Sequence, residues 1–199
     1  MRYESERFEI QGSVTFFHSL VENLIEWVQS GGTGAYRPVN LESARITGHE
    51  DNLQIVFGDD VLRLSYQNTV THALNRVPGH TSYDKLVTYT PPYVTRLSVH
   101  GRYRPLVASY SVRWVGRRYH TDANTVAYPA YTIHEADIKA EFEWHQRWRL
   151  TVDFSVENIW NEDHVLIVQS PMPGREYAVG AAVACQFGQI GSRSGRDGK

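Results

Sequence analysis

The stretch whose reading decides the fold runs from Trp148 to Phe187. It reads Trp148-Arg-Leu-Thr-Val-Asp-Phe-Ser-Val-Glu-Asn-Ile-Trp-Asn-Glu-Asp163, then a loop closing in Pro171-Met-Pro-Gly-Arg175, then Glu176-Tyr-Ala-Val-Gly-Ala-Ala-Val-Ala-Cys-Gln-Phe187. In the first run Leu150, Val152, Phe154 and Val156 alternate with Thr151, Asp153, Ser155 and Glu157. Successive side chains of a strand point to opposite faces, so this run predicts a strand with one apolar and one charged face. In the second run Tyr177, Val179, Ala181, Val183, Cys185 and Phe187 make the apolar row, and the opposite row is filled by the small residues Ala178, Gly180, Ala182 and Ala184. Alternation alone does not decide what the apolar row faces, because the inner rows of a water-soluble β-sandwich alternate in the same way.

The wording of the hairpin is more specific than its periodicity. Asn158, Trp160 and Asp163, then Pro171, Pro173, Gly174, Arg175 and Tyr177, with Phe187 at the end of the last strand, resemble the final hairpin of TonB-dependent outer-membrane receptors. Two further stretches carry the resemblance upstream. Asn40, Ala44, Ile46, Gly48 and Glu50 match the family's Asn-x-x-x-Ala-x-Ile-x-Gly-x-Glu strand, and Val115 to Asn124 with Pro129-Ala-Tyr-Thr132 matches its Gly-x-Arg-Tyr, Asp-x-Asn and Pro-x-Tyr series. His49 and Asp51 stand where the family has apolar side chains, and the apolar parity changes before Leu53, Ile55 and Phe57. A β-bulge near Gly48 is the expected cause, since one inserted residue reverses the face of every later side chain.

Elsewhere the chain keeps the same rhythm. Phe8, Ile10, Val14 and Phe16 open a long strand, which the resemblance extends through Leu20 to Trp27 although the spacing of Leu20, Leu24 and Val28 also suits a helix. Leu62, Leu64 and Tyr66; Leu97, Val99, Gly101 and Tyr103; Leu106, Ala108, Tyr110, Val112 and Trp114; and Ala136, Ile138, Ala140 and Phe142 each mark a further apolar row. Short turns are predicted at Gly58, Arg104 and His145, and longer connections near Gly32, Val77, Asp122 and Ser170. Short turns at one end and long loops at the other characterise an outer-membrane barrel. The expected fold is therefore all-β, an antiparallel transmembrane β-barrel segment of about eight strands in up-and-down hairpins, either part of a larger barrel or a small closed one. The resemblance implies that residues 1–187 are the C-terminal portion of a receptor barrel, and residues 188–199 are expected to be a disordered polar tail.

The totals exclude several classes. With 20 basic and 22 acidic residues and no basic run, binding nucleic acid by phosphate neutralisation is not expected. Cys185 is the one cysteine, so neither an internal disulfide nor a cysteine-rich zinc site can form. No apolar run approaches the length of a transmembrane helix, and the charged start Met1-Arg-Tyr-Glu-Ser-Glu-Arg-Phe-Glu9 has no apolar signal-peptide core. The carboxylates Glu135, Asp137, Glu141, Asp153 and Glu157 recur at strand period, as a wet barrel interior requires. No catalytic constellation, cofactor site or metal site is expected: the nine histidines are dispersed, with His49-Glu-Asp51 the densest polar group.

The candidate ligand contacts are Arg117, Arg118, Tyr119, His120 and Asp122, a basic and aromatic cluster at the mouth of a long loop. It could meet an anionic metal chelate, or anchor the barrel at lipid headgroups. The hairpin residues Asn158, Pro173, Gly174, Arg175 and Phe187 are expected to be structural. Trp27, Trp114 and Trp160 near the long connections, and Trp144 and Trp148 beside a short turn, would form two interfacial belts.

The resemblance implies a place in the Gram-negative outer membrane among its lipids, and uptake of ferric chelates, cobalamin or similar nutrients. It also implies partnership with the rest of a barrel of about 22 strands, with a plug domain, and with TonB through that plug. No plug is expected within these residues, and twelve residues follow Phe187 where family chains stop. A fragment, inactive by itself, is the resulting expectation. The competing expectation is a soluble β-sandwich that binds carbohydrate through its tryptophans.

Overall fold

A computed structural model describes residues 2–4, 8–29, 36–144, 147–167 and 170–185; within it, the side chains of 2–4, 24, 26–29, 36–37 and 39–42 lie outside the description. The strands are β1 (Arg2–Glu4), β2 (Phe8–Gln29), β3 (Tyr36–Phe57), β4 (Leu62–Asn75), β5 (Tyr93–Tyr103), β6 (Leu106–Val115), β7 (Arg118–Tyr119), β8 (Ala127–Tyr128), β9 (Tyr131–Trp144), β10 (Trp148–Glu157), β11 (Val165–Ile167), β12 (Ser170–Pro171) and β13 (Glu176–Cys185).

One sheet holds β1, β2, β3, β4, β5, β6, β9, β10 and β13 in that order, each antiparallel to the next, and the pairs β7/β8 and β11/β12 are small ladders inside two of the long connections. The eight long strands are an up-and-down meander. Among the described residues no ladder joins β13 back to β1 or β2, so the sheet is open: of the two expected forms it is part of a larger barrel and not a small closed one. Among the described residues no second sheet is stacked on it, which overturns the sandwich expectation. Leu150, Phe154, Val179 and Val183, which a sandwich would bury, are 41, 41, 77 and 66 % exposed.

Register explains how the two faces sort. Ile10, Ile55, Leu64, Val99, Tyr110, Ala136, Val156 and Tyr177 lie in one continuous cross-strand row from β2 to β13. Phe8, Phe57, Leu62, Gly101, Ala108, Ile138, Phe154 and Val179 make the next. A contiguous exposed apolar surface spanning eight strands exceeds what a water-facing monomer carries and requires a partner or a lipid phase. Strands β5, β6, β10 and β13 have 11, 10, 10 and 10 residues, the length a tilted strand needs to cross a bilayer core. Trp144 and Trp148 face each other across the short turn, and Trp114 and Trp160 lie toward the long connections. The side chain of Trp27 lies outside the described residues.

The bulge expected near Gly48 is not there. Ala44 to Phe57 of β3 pair without interruption on both sides, with β2 and with β4. His49 and Asp51 therefore share the apolar face with Leu53, Ile55 and Phe57, while Ala44 and Ile46 face the polar side. The polar groups on the apolar face satisfy one another across three strands: Asn68 Nδ2 donates to Asp51 Oδ2 at 3.0 Å, Thr95 Oγ1 donates to Asn68 Oδ1 at 2.8 Å, and His49 Nε2 is 3.4 Å from Asp51 Oδ2. Pairing hydrogen-bond groups in this way removes much of the cost of facing them toward an apolar phase.

The short turns span Gly58 to Val61, Arg104-Pro105, and the link from Trp144 to Arg147, of which residues 145–146 lie outside the description. All three are at one end of the sheet. The connections 76–92, 116–130 and 158–175 are at the other end; that near Gly32 is outside the described residues. The little core there is lies at this second end. Ala44, Ala73, Val115, Tyr131 and Ile133, all on the polar face, are buried beneath the long connections.

Candidate functional site

The three long connections are tied into one body. Asn124 clamps the 76–92 connection through both main-chain groups of Leu86: its Oδ1 accepts from the amide at 2.7 Å and its Nδ2 donates to the carbonyl at 2.9 Å. Tyr89 N donates to Tyr119 O at 2.7 Å, joining the same two connections at a second point. Arg118 carries the link onward by donating from Nη2 to the carbonyl of Val165, in the 158–175 connection. The ring of His164 lies 4.6 Å from that of Tyr131.

Each connection is also braced from within. In the first, Asn75 is fully buried; its Nδ2 donates to Ser82 Oγ at 2.7 Å and its Oδ1 accepts from Val77 N at 2.9 Å. In the third, Asn158 is 4 % exposed and sits at φ 50°, in the left-handed region that asparagine tolerates better than most residues. Its Oδ1 accepts from Glu162 N at 2.7 Å, and its Nδ2 donates to Glu162 O at 2.9 Å and Pro173 O at 3.5 Å. Asn161 Oδ1 accepts from Arg175 N at 2.9 Å, and a Cβ on Gly174 would stand 2.5 Å from that same oxygen. Asn158, Pro173, Gly174 and Arg175 thus meet around one turn, while Phe187 is outside the described residues. Replacing Asn158 by Ala removes its bonds to the amide and carbonyl of Glu162, an effect of about 1 kcal/mol for each bond. Guanidinium unfolding in detergent is expected to show that loss, with limited proteolysis opening the 158–175 connection first.

The candidate ligand residues divide by position. Arg118 is 3 % exposed, its guanidinium 5.5 Å from the ring centre of Tyr128 and 5.3 Å from that of Tyr131. These cation–π contacts and the bond to Val165 make it a pin between connections. Its Nη1 has no partner among the described residues, and neither does Nδ1 of His120, whose ring stacks on Tyr128 at 4.9 Å. Arg117 is exposed, lying 5.2 Å from the ring centre of Tyr119 and donating to its hydroxyl at 3.0 Å. Burial holds the Asp122 carboxyl above the ordinary aspartate range, with the nearby His80 opposing the rise. The arrangement brings an exposed guanidinium, a half-buried imidazole and two aromatic rings together along the tied connections. Among the described residues no group of three or more His, Cys, Asp or Glu side chains could hold a metal ion.

Sequence reasoning did not single out Asn75, Asn124 or His164. Asn124 stood within a quoted motif, and its spacing from Asp122 was the one signal that could have marked it.

Residues 1–159 match the family model described as TonB dependent receptor-like, beta-barrel. Among solved structures, the unliganded ferric citrate transporter FecA superposes with a TM-score of 0.70 at 18% identity, covering 92% of this chain and 30% of FecA. The ferric yersiniabactin uptake receptor FyuA from Yersinia pestis gives 0.61 at 18% identity, covering 94% and 28%. The copper transporter OprC gives 0.66 at 14% identity, covering 94% and 30%. The chain therefore spans under a third of the length of each of these proteins. Among curated protein sequences none matches it.

Proposed function

Because this chain belongs to the TonB-dependent receptor β-barrel family, we propose that it forms part of the wall of an outer-membrane receptor for an anionic metal chelate. Members of the family are transport receptors of the Gram-negative outer membrane, not enzymes, and work with a plug and TonB. In this reading the apolar face meets hydrocarbon, the short turns face the periplasm, and the tied connections form part of the outer mouth. Arg117 and His120 are the ligand contacts, and Arg118 holds them in place. The rest of the barrel, the plug and TonB complete the transporter.

The observation that carries the proposal is the single-layer meander with an exposed apolar face, short turns at one end and long tied connections at the other. That FecA and FyuA are named for ferric citrate and ferric yersiniabactin supports a metal chelate as the ligand class. Two measurements test it. A complete receptor carrying this chain is expected to float with vesicles of outer-membrane lipids, since only a closed barrel leaves no unpaired edge in hydrocarbon; recovery in the aqueous fraction would overturn the membrane reading. In a complete receptor carrying this chain, uptake of radiolabelled ferric chelates is expected to require TonB and to weaken about tenfold at limiting ligand in Arg117→Ala. Uptake untouched by that change would overturn the assignment of the rim.

A further inference from the structure

The sheet ends in a step where the chain makes its short turns. Strands β5 and β6 stop at the turn Arg104-Pro105, with Tyr103 and Leu106 as their last register partners, whereas β9 runs on to Trp144 and β10 begins opposite it at Trp148. Leu106 pairs with Ala140, so among the described residues Glu141 to Trp144 of β9 have no strand beside them on that side. The stagger of a barrel-forming sheet produces such steps, because each hairpin is displaced along its neighbour. Here the step holds a cavity of about 370 Å³, lined by Arg102, Arg104 and Val107 on one side and by Glu141, Glu143 and Arg149 on the other.

The charges around this cavity do not cancel. Four cations, Arg102, Arg104, Lys139 and Arg149, stand against the two carboxylates. Both carboxylates are answered from within their own hairpin: Lys139 Nζ lies 2.6 Å from Glu141 Oε1, and Arg149 Nη2 lies 3.1 Å from Glu143 Oε1. Among the described residues the guanidinium groups of Arg102 and Arg104 form neither an ion pair nor a hydrogen bond. Their main chain is nonetheless held. Arg102 N donates to Val61 O at 2.8 Å, and Glu141 N donates to Pro105 O at 2.9 Å, which ties the turn to β9.

We propose that this cavity binds a phosphate group through the forks of Arg102 and Arg104. A guanidinium presents parallel N–H donors that match two oxygens of a phosphate, and two such forks on a fixed backbone select that anion over a compact halide. The place of the cavity in the sheet brings phosphate to it. Tyr103, Trp144 and Trp148 stand at the same end on the opposite, apolar face, 84, 70 and 48 % exposed, and aromatic side chains so placed mark the interfacial layer of a membrane. That layer is crowded with headgroup phosphates, and soluble phosphate reaches it from the water. The supply of lipid phosphate rests on the membrane reading, which flotation tests separately; a receptor that floats but binds no phosphate overturns this site alone. The site is distinct from Arg117 and His120, which lie at the other end of the strands.

The test titrates a complete receptor carrying this chain, in detergent, by calorimetry. One arm uses inorganic phosphate and the other dihexanoyl phosphatidylglycerol below its micellar concentration. Binding is expected in at least one arm, and the tighter arm identifies the source as soluble phosphate or a lipid headgroup. Arg102→Gln/Arg104→Gln is expected to weaken that binding about tenfold or more, the loss of charge-assisted bonds. Arg45→Gln/Arg63→Gln has the same change in net charge and is expected to stay within about twofold, since Arg45 lies far along β3 and Arg63 is paired with Asp60 at another turn. Arg102→Lys/Arg104→Lys keeps the charge and removes the forks; it is expected to lose about threefold or more, and it carries the test if the glutamine pair does not fold. Absence of binding in both arms would mean a cavity closed or filled in the complete receptor. Equal losses in the two glutamine pairs would mean attraction to net charge only, and an unchanged affinity in the lysine pair would mean that the forks make no contact. Each of these three results overturns the proposal.

Discussion

In a complete receptor carrying this chain, arginine in place of Phe154 is expected to abolish stable insertion, while arginine at the next position, Ser155, leaves it almost unchanged. The two residues are neighbours in β10, pair with β9 and β13 in the same ladders, and differ in the face they occupy. Phe154 stands in the apolar row beside Ile138 and Val179, its ring 6.2 Å from that of Tyr177. A guanidinium there faces hydrocarbon at a cost of about 2–4 kcal/mol, and the ring contact is lost with it. At Ser155 it joins Asp137 and Ala178 on the polar face, where water and a carboxylate receive it. Flotation with lipid vesicles and unfolding in guanidinium measure the difference. The reverse order of effects would mean that the faces are assigned backwards.

Valine in place of Gly48 is expected to cost about 3 kcal/mol or more, as overpacking against an immovable neighbour does. Gly48 lies on the polar face of β3 between Phe17 of β2 and Thr71 of β4. A Cβ there would fall against the carbonyl oxygen of Val70 and 2.5 Å from the Phe17 ring. The ring can turn, but the carbonyl belongs to the main chain of β4, so the ladder itself would have to shift. Gly101 provides the contrast, because a Cβ there meets nothing within 4 Å, and Gly101→Val is expected to stay within about 0.5 kcal/mol of the parent. Tryptophan fluorescence during guanidinium unfolding separates the two; equal effects would show that strand propensity, not close approach, governs both sites.

The two strands of the last hairpin, Trp148–Glu157 and Glu176–Cys185, were legible because each alternates without interruption, and a one-residue slip would exchange every apolar side chain for a polar one. His49 and Asp51 were misread for the same reason turned round. Alternation failed there, and a bulge is the local way to restore it, yet β3 keeps its register. The polar groups are answered instead by Asn68 and Thr95, 17 and 44 positions further along the chain. At the rim, the five candidates Arg117, Arg118, Tyr119, His120 and Asp122 looked alike as one cluster. Arg118 becomes a buried pin only because Val165, 47 residues away, brings its carbonyl to it.

The sequence by itself determined most of the long strands, where the chain turns tightly and where it runs long, and which row of the last strands is apolar. Those properties follow from the two-residue period and the chemistry of successive side chains. Only the tertiary structure decided that the sheet stays open, that the polar groups of the apolar face bond to one another, and that three connections lock into one rim. Each of these depends on which distant main-chain or side-chain group arrives within hydrogen-bonding reach, and short-range periodicity carries no record of that.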